Sequence, residues 1–273
     1  MTKYTENTSK SFLDPVAHSR AEIVGLKREY PDGYSYPRHF HNRDQLVYAS
    51  KGVMTVRTSA GMWIVPPLRA VWIPARTPHE VRMSGAVSLR TLYFRPRRAQ
   101  RLGRSCSSVV NVSSFFKELI LFACQFEALS LKKREEANLI HVIMDQMKKV
   151  QVIALQLPSP EDARAQRVAE MLSENPGDEH KMEEICKAAG GSKRTIERLF
   201  LKETGISLGK WHQQSRLVQA LQLMAKEEKI STAAAGAGYS TPSAFISAFR
   251  NALGTTPGKY FRQRPARREN EKR

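Results

Sequence analysis

Three histidines are spaced so that they could do chemistry together. His39 and His41 are two residues apart, so on a strand both side chains leave the same face, with Gln45 and His79 on neighbouring strand-like runs. Two or three imidazoles with an oxygen donor suit a divalent transition metal, and the same groups suit hydrogen bonds to a small organic molecule. Gln45 is a neutral, poor metal donor and Arg76 stands close by, so both uses stay open. A second set lies far downstream. Lys193, Arg194, Thr195, Glu197 and Arg198 are interleaved with Ile196, Leu199 and Phe200, in a run opened by Ser192, a good helix N-cap. On a helix the three apolar residues turn inward and the five polar ones outward. Outward arginine can fork to guanine and glutamate can accept from cytosine N4, the chemistry of reading base edges in a major groove.

The elements that would hold this second set form a repeated pattern. In 182–205, Ile185, Cys186 and Ala189 make the inner face of a short helix, Gly190 holds a turn, and the polar-faced helix follows. In 230–261, Ile230, Ala233, Ala234 and Ala237 line another short helix that ends at Gly238, where a left-handed residue is needed. A second helix then begins with Pro242 in its first turn. It carries Ala244, Phe245, Ala248 and Phe249 on one face and Ser243, Ser247, Arg250 and Asn251 on the other. Short helix, glycine turn and polar-faced helix, twice over, is helix-turn-helix grammar. The second unit is poorer in readers: Thr241, Ser243, Ala244 and Ser247 are short, and Arg250 lies near the helix end. The first unit should therefore supply base readout, the second backbone positioning and methyl contact. Gly236 inside the second unit costs about 1 kcal/mol relative to alanine, which predicts a less rigid unit.

Composition agrees with a polyanionic partner. The chain of 273 residues has 44 Lys and Arg against 26 Asp and Glu, a formal charge of +18. No apolar run reaches the roughly 18 residues of a membrane span, and the polar start lacks a signal-peptide core, which predicts a cytoplasmic protein. Cys106, Cys124 and Cys186 are odd in number and widely spaced, so they read as small core residues rather than a disulfide or zinc framework. No nucleophile–base spacing or phosphate loop appears.

The fold class expected is α+β: an N-terminal antiparallel β-barrel, then helices, then an all-α domain with two helix-turn-helix units. Residues 1–20 lack periodicity and read as a mobile arm. The barrel, 21–112, follows from six short strand-like runs (QLVYAS, VMTVRT, MWIVP, AVWIP, HEVRM, SLRTLYF) separated by KG, SAG, PP, RTP and SG. Arg95 to Arg98 closes it as a solvated turn. Residues 113–157 carry two amphipathic stripes, led by Phe115, Phe116, Leu119 and Ile120 and by Leu139, Val142 and Ile143; they suit either a dimer seam or packing on the chain's own barrel. The break at Leu157-Pro-Ser-Pro160 begins a helical domain at 158–263, with units at 182–203 and 230–252 and a long helix at about 208–225 between them. A basic tail, 264–273, ends the chain.

GYSTPSAFISAFRNALGTTPGKYF resembles the C-terminal signature of the AraC/XylS family of bacterial transcription regulators, through Gly238, Tyr239, Ser240, Ser243, Phe245, Phe249, Arg250, Gly254, Thr256, Pro257 and Tyr260. The upstream His39, His41, Gln45, Gly52 and Pro74-to-His79 pattern is similar to the two cupin motifs, with Gln45 replacing a carboxylate, Arg76 a glycine, and Met83 standing at the fourth ligand position. The resemblance implies a regulator that binds double-stranded promoter DNA and is controlled by a small-molecule effector in the cupin-like domain. It also implies a homodimer formed through the helices after the barrel, with RNA polymerase a further partner for an activator. Arg216-Leu217 matches a step in the family's spacer helix. His39, His41, Gln45 and His79 are then the effector anchors; no cofactor is required, though His39, His41 and His79 leave a divalent metal open. The competing reading is a metal-dependent cupin enzyme fused to a DNA-binding module.

Overall fold

The structure, a computed structural model, describes residue 16 and residues 19–96, 102–153, 156–177 and 181–262, with the backbone alone at 153 and 262. Nearly all of the expected arm at 1–20, Arg97 and Arg98 of the closing run, and the tail at 264–273 lie outside the described residues.

Ten strands form one antiparallel sheet: β1 (Ile23–Tyr30), β2 (Ser35–His39), β3 (Asp44–Thr58), β4 (Gly61–Val65), β5 (Arg69–Ile73), β6 (His79–Phe94), β7 (Ser108–Asn111), β8 (Ala128–Leu129), β9 (Val152–Ile153) and β10 (Gln156–Pro158). Two strands organise it. β3 pairs β5 along its first half and β4 along its second, while β6 pairs β2 near its start and β1 near its end. β3 and β6 also pair with each other along most of their length, so both are central, with β4 and β5 on the outer edge of β3 and β1 and β2 on the outer edge of β6.

Here the structure differs from the strand count expected of the sequence. Two pairs of runs, QLVYAS with VMTVRT and HEVRM with SLRTLYF, are each one long strand. Their KG and SG separators are irregularities within the ladder, with Gly52 at φ +76° and Gly85 at φ +70°. Glycine ends a strand or kinks it, and local pattern does not distinguish the two. β7 closes the expected barrel segment, pairing β5, whereas the short strands β8 to β10 arise in or at the end of the segment expected to be helical and return to the sheet, β8 pairing β1, β9 pairing β7 and β10 pairing β4.

Period two divides the sheet's side chains between two cores. Val47, Ala49, Val71, Ile73, Val81 and Leu89 face one way. Leu46, Tyr48, Ala70, Trp72, Leu92 and Phe94 face the other, where α1 (Ser114–Ala123) and α2 (Arg134–Lys149) cover them with Phe116, Ile120, Ile140, Ile143 and Met147. The helices thus pack on their own sheet, yet Phe115 and Phe122 remain 56% and 49% exposed on the opposite side of α1. Cys124 and Cys186 are buried as expected; Cys106 is exposed and does not belong to a core.

The remaining helices are α3 (Ala163–Glu174), α4 (Met182–Ala188), α5 (Lys193–Thr204), α6 (Leu208–Ala225), α7 (Ile230–Gly236), α8 (Pro242–Leu253) and α9 (Pro257–Arg262). α3 begins later than Pro160 because Asp162 is its N-cap, accepting from Arg164 N at 2.9 Å. Glu203 on α5 accepts from the amides of Glu161 and Asp162, so the start of α3 is tied to the end of α5. α4–α5 and α7–α8 are the two helix-turn-helix units. Gly190 at φ +87° and Gly238 at φ +76° occupy their turns.

Gly236 departs from expectation. It is the last residue of α7, and a Cβ there would lie 2.8 Å from Leu223 Cδ1 of α6. The glycine stands at the end of the helix rather than inside it and leaves room for Leu223 of α6.

One core runs from the sheet interior into the helical domain, through Leu217, Val218 and Leu221 of α6. Polar contacts reinforce it: Gln222 Nε2 donates to Thr55 Oγ1 (3.0 Å), Lys226 pairs with Asp32 (3.2 Å) and Trp211 Nε1 donates to the Pro158 carbonyl (2.9 Å). Tyr260 donates its hydroxyl to the Pro67 carbonyl in the β4–β5 connection. A Cβ on Gly85 would fall on the carbonyl oxygen of Ala225, so backbone meets backbone where α6 ends. Gly85→Ala should therefore strain a left-handed residue and separate the two domains, costing about 2 kcal/mol or more. Urea denaturation checks this; an unchanged midpoint would show that the contact carries no stability.

Candidate functional site

The histidines expected to meet do meet. Ring centroids of His39 and His79 are 4.4 Å apart, His41 and His79 5.2 Å, and His41 and Tyr93 5.0 Å. The β2–β6 ladder pairs His39 with His79 directly. Their hydrogen bonds decide what each can still do. His39 and His79 each point Nδ1 at a backbone carbonyl, of Pro37 and Thr77 respectively, both at 2.8 Å. Carbonyls only accept, so the protons sit on Nδ1 and the Nε2 lone pairs stay open. His79 Nε2 is buried without a partner.

His41 is different. Its Nδ1 lies 2.6 Å from the Arg43 carbonyl and its Nε2 2.9 Å from Gln45 Oε1. Gln45 Nε2 in turn donates to Thr91 Oγ1 (3.0 Å), which donates to the Leu46 carbonyl. Both nitrogens of His41 face oxygen acceptors, of which a neutral ring can donate to one, so His41 is turned toward its own loop and Gln45 while His39 and His79 keep an open Nε2. Among the described residues no group of three or more His, Cys, Asp or Glu side chains is placed to hold a metal. Arg76 does not enter the cluster: it is exposed, at φ +62°, with Nε 3.4 Å from Asn42 Oδ1. Its left-handed backbone explains why a glycine suits that position.

Burial lowers the pKa of all three imidazoles, and that of His79 falls to about 3, with repulsion from His39 and His41 adding to desolvation. Unfolded histidines take up protons near pH 6.5 and the folded cluster resists, so the unfolded state binds more protons below that pH. Stability is complete above about 6.5 and falls as pH drops toward 3. His79 contributes up to about 1.4 kcal/mol per pH unit in that window, and His39 and His41 add to the loss in the same direction. His79→Gln should flatten the loss between pH 7 and pH 5 measured by urea denaturation; an undiminished slope would assign the acid sensitivity elsewhere.

Sequence reasoning missed three features near this site. Arg43 is buried and donates to the carbonyls of Val16, Ser19 and Ala21, fastening the incoming chain beside Tyr93. Thr91 completes the Gln45 network. A cleft of about 580 Å³ opens between the sheet and α6, where Thr55, Arg57, Arg82, Gln219, Gln222 and Lys226 converge. Its walls come from both domains, and no local pattern announces residues that only long-range docking assembles.

In the first helix-turn-helix unit, Ser192 caps α5 by accepting from Thr195 N (3.2 Å). The expected readers then separate into two groups. Lys193 is paired with Glu183 of α4 (2.8 Å), and the Thr195 hydroxyl lies 2.9 Å from that of Ser192, so both serve the unit's own structure. Arg194, Glu197 and Arg198 are exposed along one stripe, and neither arginine is held by a hydrogen bond or ion pair among the described residues. In the second unit Thr241 caps α8 through Ala244 N (3.2 Å), and Ser243, Ala244, Ser247 and Arg250 are exposed. Phe245 and Phe249 point inward against Tyr239, Tyr260 and Phe261.

The loop after α3 is fixed to α6 and to the second unit. The Pro176 carbonyl accepts from Arg216 Nε (3.1 Å) and lies 2.9 Å from His212 Nε2, both on α6. A Cβ on Gly238 would lie 2.5 Å from Gly177 Cα, so the loop after α3 abuts the turn of the second unit.

Comparison with known proteins agrees with both halves. Residues 23–151 match the AraC-like ligand binding domain, and residues 185–263 match a helix-turn-helix domain family. The chain belongs to the AraC family of transcription regulators. This regulator is 29% identical over 247 residues to the HTH-type transcriptional regulator NimR of Escherichia coli K12, spanning 90% of each chain. It is 39% identical over 104 residues to the HTH-type transcriptional regulator RipA of Corynebacterium glutamicum, covering 38% of this chain and 31% of that one. Among solved structures, ToxT from Vibrio cholerae bound to an unsaturated fatty acid aligns over 89% of this chain and 95% of its own, at 12% identity and a TM-score of 0.37. The chain therefore combines a small-molecule-binding sheet domain with a DNA-binding helix-turn-helix domain, and its relatives are regulators rather than enzymes. No helix among the described residues is long and apolar enough to cross a membrane.

Proposed function

We propose that this regulator reads a promoter operator chiefly through Arg194, Glu197 and Arg198 on α5, with α8 placing Ser243, Ala244, Ser247 and Arg250 against the next major-groove segment. The observation that carries this reading is the exposed, unpartnered arginine pair on the polar face of a capped helix-turn-helix helix. Lys193 and Thr195 act indirectly, by holding α5 on α4 and in its cap. Two such helices address one face of DNA about one turn, or 34 Å, apart.

The effector is read as a small molecule with a hydrogen-bond donor that meets the open Nε2 lone pairs of His39 and His79, while His41 and Gln45 shape the wall. In this reading no cofactor takes part. The sensing unit is 21–112, the helical unit 113–157 and the DNA-binding unit 158–263. Phe115 and Phe122, exposed beside each other's turn on α1, favour a homodimer seam there, and RNA polymerase is a further partner wherever the protein activates. Such a protein works in the cytoplasm, with its DNA.

Arg194→Ala or Arg198→Ala should weaken binding to a specific operator by about 1–3 kcal/mol and relax base preference at one position. Footprinting and titration on a mapped site check this, and unchanged affinity for both variants would remove α5 from the reading surface. Phe122→Glu should convert a dimer to a monomer in sedimentation equilibrium; a wild-type monomer, or a dimer indifferent to the charge, would place the seam elsewhere.

A further inference from the structure

Leu201 lies one turn beyond Arg198 on α5 and is 59% exposed. Among the described residues after 153 it is the one large apolar side chain left exposed, although the same domain buries Leu199's neighbours Ile196 and Phe200 completely. Its position is not arbitrary. Residues 194, 197, 198 and 201 stand at i, i+3, i+4 and i+7, so Leu201 continues the stripe of Arg194, Glu197 and Arg198. Seven residues of helix advance about 10 Å, which is about three base-pair steps at 3.4 Å each.

A branched aliphatic side chain has nothing to offer a phosphate or a base-edge donor or acceptor. The major groove displays one apolar group, the C5 methyl of thymine. We infer that Leu201 is a specificity-determining residue that selects thymine by packing on its C5 methyl, about three base pairs from the pair addressed by Arg194. This rests on α5 being the reading helix. It adds an apolar element to a surface otherwise made of charges. Cytosine at that position removes the methyl and leaves the leucine facing water and a polar edge.

The test uses the full-length protein and a random-sequence duplex library. Wild-type protein selects its preferred half-site, and duplexes are then made with each thymine of that half-site replaced by deoxyuridine, which deletes only the methyl. One replacement should weaken wild-type binding about fourfold, the scale of one buried methyl group. Leu201→Ala should be insensitive to that same replacement and should lose thymine preference there when the library is reselected. A wild-type half-site whose thymines all tolerate deoxyuridine, or a Leu201→Ala variant with unaltered deoxyuridine sensitivity, overturns the inference. Arg194→Ala and Arg198→Ala, selected in parallel, separate the two levels of failure. If they shift the selected sequence and Leu201→Ala does not, only the methyl contact falls. If none of the three shifts it, the assignment of α5 falls.

Discussion

The arrangement depends on α6 being buried on nearly every side. Leu208, Trp211, Ser215, Leu217, Val218, Ala220, Leu221 and Met224 are buried, and they do not fall on a single stripe. A helix with one apolar face has one partner; a helix buried all round must have several. One side of α6 holds the first helix-turn-helix unit through Trp211, whose ring meets Phe200 edge-on. Another takes α7 at Gly236 and Leu223, and a third enters the sheet domain near Thr55 and Gly85. Each large side chain buried there is worth roughly 1.5–3 kcal/mol, so neither unit leaves this helix cheaply.

Because both DNA-binding units and the sensing sheet share that helix, a change at the sheet reaches the DNA-binding domain through packed atoms rather than a flexible connection. Gln222 and Lys226 of α6 touch Thr55 and Asp32 on the sheet side, and the same contacts border the interdomain cleft. Tyr260 makes a separate attachment, from the helix after the second unit to Pro67. The sheet therefore grips the DNA-binding domain at three points: the end of α6, Tyr260 beyond the second unit, and Trp211, which donates to Pro158 of β10 and packs on Phe200 of the first unit. The recognition face of α5, with Arg194 and Arg198, is left clear of the sheet.

Local chemistry in the sequence foretold much of this. Ser192, Gly190 and Gly238 sit where capping and left-handed backbone require them, and the two units follow from those positions. His39 and His41 do meet His79, but not as two residues of one strand: β2 ends at His39, and His41 lies in the connection to β3. What stayed hidden depended on distant partners. Gly52 and Gly85 looked like strand ends because a bulge and a turn share the same residue. The approach of Leu223 to Gly236 appears only once α6 and α7 are packed together. The pairing of Lys193 with Glu183 likewise depends on how α4 meets α5. His41 looked free to bind, and the carbonyl of Arg43 that occupies it depends on a loop conformation that spacing does not encode.

The meeting of Gly177 and Gly238 has a consequence for how relatives of this protein can diverge. With no side chain on either residue, the backbones of the two halves touch, and Arg216 clamps the same loop through Pro176. The loop after α3 and the turn of the second unit are thus held together by main-chain contact, which point substitutions at the surface leave alone. On the reading proposed above, new operators are acquired by exchanging side chains on α5 and α8, one base pair at a time. A new distance between the two halves of an operator would require remaking the joint itself.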